Sequence, residues 1–380
     1  VPLLSLGVQT QDDNYANSER RRFLLTASSG IQAMIPGLSY ASTSSGPLGY
    51  AAGDLASRNT ISPLSETVTI PLKWIPSLSA YVVYYSVGGE RFGAILDTGS
   101  PFLVVPSYCD RQKYGCYDPA QSRPSGLAPT FERFDNNQGK VEWRVAPFSF
   151  VNATGSMVGP REMVFGVLSE SLMDGPGGVF LGLIRDTDNW IRPSFLGQTN
   201  VKAIEIGLRE EEKTLSLYTQ SPFHNSPPGL GNDDNDFIEL VKDLNRKYGD
   251  PVIHYTAKAS SLKANGKEVS LSTRSRRKIP TYVIFDTGVT GMVVSQDLFD
   301  QRYADARINR EKSLWGSVEI SFLTHQGNIV TLSAQKPVTT PLGDKPWPKF
   351  QNANLIVLGL AFLDGYDIII DMDNQKMQIS

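Results

Sequence analysis

Histidine and cysteine are scarce, with three of the first and two of the second in 380 residues. His224, His254 and His325 are scattered without ligand spacing, which argues against a metal site. Cys109 and Cys116 allow one bridge at most. No apolar run approaches the length of a membrane span. Neither sign of charge prevails: 36 Lys and Arg stand against 39 Asp and Glu, a formal net charge of -3, so nothing electrostatic favours nucleic acid. The basic residues are dispersed except for Arg274-Ser275-Arg276-Arg277-Lys278, expected as a solvated loop, with a protease-sensitive processing site as the alternative. What remains is an ordinary globular composition, 40% hydrophobic and 20% charged. The length suits two lobes of about 150 residues, each able to bury a core.

Against that plain background the tripeptide Asp-Thr-Gly occurs twice, as Asp97-Thr98-Gly99 in AILDTGSPFLVVPS and as Asp286-Thr287-Gly288 in VIFDTGVTGMVVSQ. One copy in a chain this long is expected by chance about one time in ten. Two copies with matched flanks are not: each Asp follows an apolar run, and each leads into an apolar-Val-Val triplet, Leu103-Val104-Val105 and Met292-Val293-Val294. Two aspartates held face to face do not both ionise cheaply, so they titrate as a unit and share a proton over a wide pH range. The ionised member can deprotonate a water while the protonated member hydrogen-bonds a carbonyl under attack. Gly99 and Gly288 let the backbone turn sharply and approach a ligand closely, and the hydroxyls of Thr98 and Thr287 can brace the opposing loop. The simpler alternative is a pair of ordinary strand-ending turns.

The repeat extends further. A hairpin-like signal precedes each copy, Val87-Gly88-Gly89-Glu90 and Ala264-Asn265-Gly266-Lys267. An apolar-Gly element follows each at a distance, Val179-Phe180-Leu181-Gly182-Leu183 and Ile356-Val357-Leu358-Gly359-Leu360.

In this order of motifs, and in the closing segment LIVLGLAFLDGYDIIIDMDNQKMQIS, the chain resembles the pepsin-like aspartic peptidases over about residues 66–380. The resemblance implies a mostly β, bilobal fold with a deep interlobe cleft, an N-terminal lobe over 66–220 and a C-terminal lobe over 221–380. It implies an aspartic endopeptidase in which Asp97 and Asp286 activate the lytic water, Thr98 and Thr287 brace the two loops, and Ser100 hydrogen-bonds Asp97. The expected partner is an extended peptide or protein substrate, bound by a monomer that needs no cofactor and no metal. A hairpin at 147–159, with Asn152, Thr154, Gly155 and Ser156 at its tip, resembles the family's substrate-covering flap. The family often carries a small disulfide loop where Cys109 and Cys116 fall, and a Cys109–Cys116 bridge is expected in an oxidising compartment, two free thiols being the alternative. A non-catalytic peptide-binding or assembly-associated protein is the other reading of the whole.

Three departures from the family bear on activity. Asn152 stands where the flap usually has tyrosine, and Val104 where a tryptophan that pairs with it usually stands; their joint absence leaves neither polar group stranded. Phe148 or Phe150 is the candidate for aromatic cover instead. Val289 follows the second Asp-Thr-Gly where Ser or Thr is common, which removes a donor to a carboxylate and raises its pKa. Activity is therefore expected in mild rather than strong acid.

The first 41 residues differ in kind. Arg20-Arg21-Arg22-Phe23-Leu24 resembles a twin-arginine export signal, followed by a moderately apolar stretch and a small-x-small end at Ser39-Tyr40-Ala41; a basic tail is the alternative. With Val at position 1, an earlier piece is expected to be missing, and a transit peptide followed by a twin-arginine signal would lead a eukaryotic protein to the thylakoid lumen. Together with the pepsin-like motifs this implies the thylakoid lumen of a photosynthetic eukaryote, with a bacterial periplasm or the secretory pathway as alternatives. The sequon Asn152-Ala153-Thr154 would place a glycan on the flap and is expected to be unused. Residues 42–65, rich in Ser, Gly and Pro, read as a linker.

Overall fold

Alternation sets the first strand. In Val68–Ile75 the apolar Val68, Ile70 and Leu72 are buried while Thr69, Pro71 and Lys73 are exposed, the period-two pattern of a strand with one face on a core. The computed structural model describes residue 64 and residues 67–101, 103–107, 114–134, 137–159, 162–171, 179–185, 193–224, 236–241, 254–269, 279–342 and 353–380. The expected targeting segment, the linker up to residue 63, Cys109 and the basic run at 274–278 lie outside the described residues. Among the described residues strands account for 51% and helices for 10%, with two large sheets, a mostly β fold.

Both hairpin signals form two-residue turns. Gly88 and Gly89 have φ of 59° and 93°, Asn265 and Gly266 of 54° and 73°. Positive φ at both central positions matches the twist of the flanking strands. The first turn joins Ala80–Val87 to Glu90–Asp97, the second Thr256–Ala264 to Lys267–Glu268.

The two halves then repeat one arrangement. In the first, Phe180–Gly182 lies parallel to Glu90–Asp97 and antiparallel to Leu103–Pro106, which places it between the strands flanking Asp97-Thr98-Gly99. In the second, Asn354–Leu358 lies parallel to Thr281–Phe285 and antiparallel to Met292–Ser295, around Asp286-Thr287-Gly288. The late apolar-Gly segments are therefore the wedges that hold each Asp-Thr-Gly loop open. These strands are buried on both faces, as in Asn354–Leu358 and Met292–Ser295, so they read as continuous apolar runs.

The halves also share a sheet. Ala203–Gly207 pairs with Asp367–Asp371, which pairs with Lys376–Ile379, so the last strands of the chain complete a sheet begun by Val68–Ile75 and Thr214–Tyr218. The helix Gln296–Ile308 carries Asp297 in its first turn and Arg307 in its last, as the helix dipole favours. Its buried stripe is Leu298, Arg302 and Ala306. The charge in that stripe is matched by Glu311, which accepts from Arg302 and from Asn265 Nδ2 at 2.7 Å.

Candidate active site

Each Asp-Thr-Gly loop is built where a buried strand ends, so its carboxylate leaves the core without reaching solvent: Asp97 is fully buried and Asp286 is 3% exposed. The loops are crossed through their threonines. Thr98 N donates to Thr287 Oγ1 at 3.1 Å and Thr287 N to Thr98 Oγ1 at 3.0 Å. Each hydroxyl then donates across the pair, Thr98 Oγ1 to Phe285 O at 2.9 Å and Thr287 Oγ1 to Leu96 O at 2.7 Å. Four hydrogen bonds thus fasten loops 189 residues apart in sequence, with both amides and both hydroxyls of the two threonines used.

This brace brings the carboxylates face to face, each over the glycine of the opposite loop. A Cβ at Gly99 would lie 2.6 Å from Asp286 Oδ1 and closer still to Oδ2; one at Gly288 would lie 2.8 Å from Asp97 Oδ1. Within its own loop Asp97 accepts from Gly99 N at 2.8 Å, from Ser100 Oγ at 2.6 Å and from the Ser100 amide. Asp286 accepts from Gly288 N at 2.8 Å. Burial pushes the pKa of Asp97 up, opposed by the Ser100 hydroxyl and the two amides. Asp286 is pushed well above the usual carboxylate range, by burial first and by the charge of Asp97 second. The pair therefore holds its shared proton on Asp286 and its charge on Asp97.

The asymmetry has a local cause. Ser100 serves Asp97, whereas the matching position holds Val289, packed in an apolar cluster with Ile284, Val293 and Val357. The missing hydroxyl thus bears on the second ionisation of the pair, not the first. A Val289→Thr variant should lower the upper pKa of the pair by up to about one unit. Titration of carboxyl carbons measures this, and an upper pKa that does not move would refute it.

The hairpin tip is placed as well. Asn137–Val151 turns back into Met157–Val158 through Asn152 to Ser156. Asn152 Oδ1 accepts from Thr154 N at 3.1 Å, Thr154 Oγ1 at 2.8 Å and Ser156 N at 2.8 Å. Its amide thus organises the turn. Gly155 sits in the left-handed region at φ 79°, and a Cβ there would meet nothing within 4 Å. Neither Phe148 nor Phe150 supplies the expected aromatic cover: both rings are buried in the core, 5.1 Å apart, with Phe148 5.0 Å from Tyr85 and Phe150 5.3 Å from Phe195. Strand alternation puts them on the inward face. Val104 is fully buried and clusters with Val141, Trp143 and Leu168; Trp143 lies one strand further on, across Gly166 of the strand Glu162–Ser171 between them.

Three contacts to this region carried no sequence signal. His254, buried, hydrogen-bonds the backbone of Gly99. Tyr255 donates to Leu183 O at 2.5 Å, and Leu183 N donates to Asp97 O at 2.7 Å. Thr290 Oγ1 donates to Ser79 O at 3.1 Å, across 211 residues. Among the described residues no group of His, Cys, Asp and Glu is arranged to hold a metal, and no helix is long and apolar enough to cross a membrane. Cys109, needed for the expected bridge to Cys116, lies outside the described residues. No family model and no curated protein matches the chain.

Proposed function

We propose that the chain is an aspartic endopeptidase of the pepsin-like type, with Asp97 and Asp286 as its catalytic pair. The observation that carries this reading is the pair itself: two buried carboxylates, facing one another, on loops fastened by crossed threonines. Such a pair costs stability through burial and mutual repulsion, and in return it offers a base beside an acid. Asp97, ionised, takes a proton from a water between the carboxyls. Asp286, protonated, gives its proton to the scissile carbonyl oxygen as the hydroxide adds to its carbon. The resulting diol breaks its C–N bond as Asp97 passes the proton it took from water to the leaving nitrogen and a diol hydroxyl returns its proton to Asp286, which leaves Asp97 ionised and Asp286 protonated again.

The substrate is an extended peptide lying in a cleft between two lobes, covered by the hairpin that ends at Asn152–Ser156 and paired with strand edges. The raised pKa of Asp286 keeps the acid protonated through mild acid, so activity belongs there. An acidic thylakoid lumen reached by twin-arginine export fits this reading.

The test is cleavage of a denatured protein by the full chain from pH 3 to 7, beside Asp97→Asn. Cleavage should peak in mild acid and fall at least about a thousandfold in the variant, since the amide is not a base. A folded protein that cleaves nothing at any pH would instead favour a peptide-binding cleft without turnover.

A further inference from the structure

Tyr81 and Tyr255 occupy the same place in the two halves. In the first, Val82 pairs with Ile95, two residues before Asp97. In the second, Thr256 pairs with Ile284, two residues before Asp286. Each tyrosine stands one residue ahead of that pair, and both are buried, 6% and 3% exposed. Each hydroxyl reaches into the other half: Tyr255 donates to Leu183 O at 2.5 Å and Tyr81 to Asp364 Oδ1 at 2.7 Å, across 72 and 283 residues.

Both acceptors lie just beyond a wedge segment. Leu183 follows Gly182, and its N–H donates to Asp97 O at 2.7 Å, so Tyr255 is tied through one residue to the backbone of the first aspartate. Asp364 ends the short helix Leu360–Leu363, which follows Gly359. Leu360 N and Ala361 N donate to Val289 O and Thr290 O, both at 2.8 Å, directly after Asp286-Thr287-Gly288. Thr290 Oγ1 in turn holds Ser79 O at 3.1 Å, two residues from Tyr81.

Exchanging the halves exchanges Thr98 with Thr287, and it also exchanges Tyr81 with Tyr255. The threonine brace joins the loops at one place, and a single joint leaves the halves able to rock about it. We propose that Tyr81 and Tyr255 form a second crossed clasp and act as positioning residues that fix the distance between the Asp97 and Asp286 carboxyls. Only the consequence for turnover rests on the peptidase reading. Packing does not require the hydroxyls. Trp74 meets the Tyr81 ring edge-on with centroids 5.1 Å apart, a contact that phenylalanine can also make, whereas a buried hydroxyl is tolerated only where it is bonded. The acceptors differ in a useful way: Leu183 O is a backbone carbonyl, while Asp364 is an exposed side chain, so the Tyr81 bond can be broken from its far end without touching the core.

The test is carboxyl-carbon titration of the pair in the full chain, with Tyr81→Phe, Asp364→Ala, Asp364→Asn and Tyr255→Phe beside wild type. Carboxyls held close drive their two pKa values apart, and carboxyls allowed to separate titrate nearer together. Tyr81→Phe, Asp364→Ala and Tyr255→Phe should each narrow the gap by about half a unit to one unit. Combining Tyr81→Phe with Asp364→Ala should add nothing, since both break one bond. Asp364→Asn keeps an acceptor oxygen and should restore most of the gap. An unchanged gap in Tyr81→Phe and Asp364→Ala, even with a lowered Tm, would overturn the proposal. So would equal narrowing by Asp364→Asn and Asp364→Ala, because that reports loss of a charge and not of a clasp. If Tyr255→Phe, which strips a carbonyl of its partner, does not fold, the variants at the exposed Asp364 still decide. In the cleavage assay, kcat should fall by about three- to tenfold at nearly constant KM, as a displacement well under an ångström would cause; a change in KM alone would place the tyrosines at the substrate and overturn the clasp. Absence of cleavage by the wild type would remove the peptidase reading and leave the titrations to judge the tyrosines.

Discussion

A Gly99→Ala variant should fold and yet lose at least about a hundredfold in kcat/KM, the loss typical of an ångström-scale misplacement at a reacting centre. The added methyl would meet Asp286 Oδ1 at 2.6 Å and Oδ2 more closely. Only that carboxyl can give way. Gly99 does not have the positive φ that would strain alanine, so the backbone accepts the new residue and the cost falls on the pair. Asp286 would swing off Asp97, taking the proton away from the carbonyl it should polarise. The overpacking should cost only about 1–3 kcal/mol of stability. Kinetics beside thermal unfolding separate the two effects, and full cleavage by a folded variant would show that the face-to-face geometry is dispensable.

The second large effect concerns stability. Removing the Glu311 side chain as Glu311→Ala should destabilise by about 3–4 kcal/mol, the lower part of the range for breaking a buried ion pair. Arg302 occupies the buried stripe of its helix with its side chain 4% exposed, and Glu311, at 8%, is covered by its partners rather than sunk in the core. Without Glu311 the guanidinium keeps its desolvation cost and loses its counter-charge. The Glu311 carboxyl is held down to about 2 from an ordinary 4.5 by hydrogen bonds from Arg302 and Asn265. A depressed folded pKa contributes stability that is complete above the unfolded value and is lost as pH falls from about 4.5 to about 2. The difference in unfolding free energy between wild type and variant should thus be full at pH 6 and reduced at pH 3. A difference that does not change between these pH values would refute the linkage. The contribution is complete over most of the mild-acid range proposed for activity.

Much of the frame was legible because its signals are local. The Gly88-Gly89 and Asn265-Gly266 turns follow from backbone freedom at those residues. The two apolar-Gly segments were visible as a repeat, and the matched flanks of Asp97 and Asp286 announced a pair. Phe148 and Phe150 show the limit of the same reasoning. They were candidates for covering the cleft, and alternation along Asn137–Val151 gives them one shared face, but which face meets the core depends on Tyr85 and Phe195, supplied from elsewhere in the chain. His254 shows it more sharply: three scattered histidines carried no pattern, and only folding buries one of them against the backbone of Gly99.

By itself, the sequence determined the residue types that make a carboxylate pair conceivable, the strands that carry them and the turns that end those strands, since alternation and turn chemistry act over a few residues. Tertiary structure alone decided that the hydroxyl of Thr290 reaches Ser79 and that burial and the charge of Asp97 raise Asp286 well above the usual carboxylate range. These depend on distances and burial between segments more than a hundred residues apart, and a proton settles according to desolvation and neighbouring charge, which exist only once those segments have met.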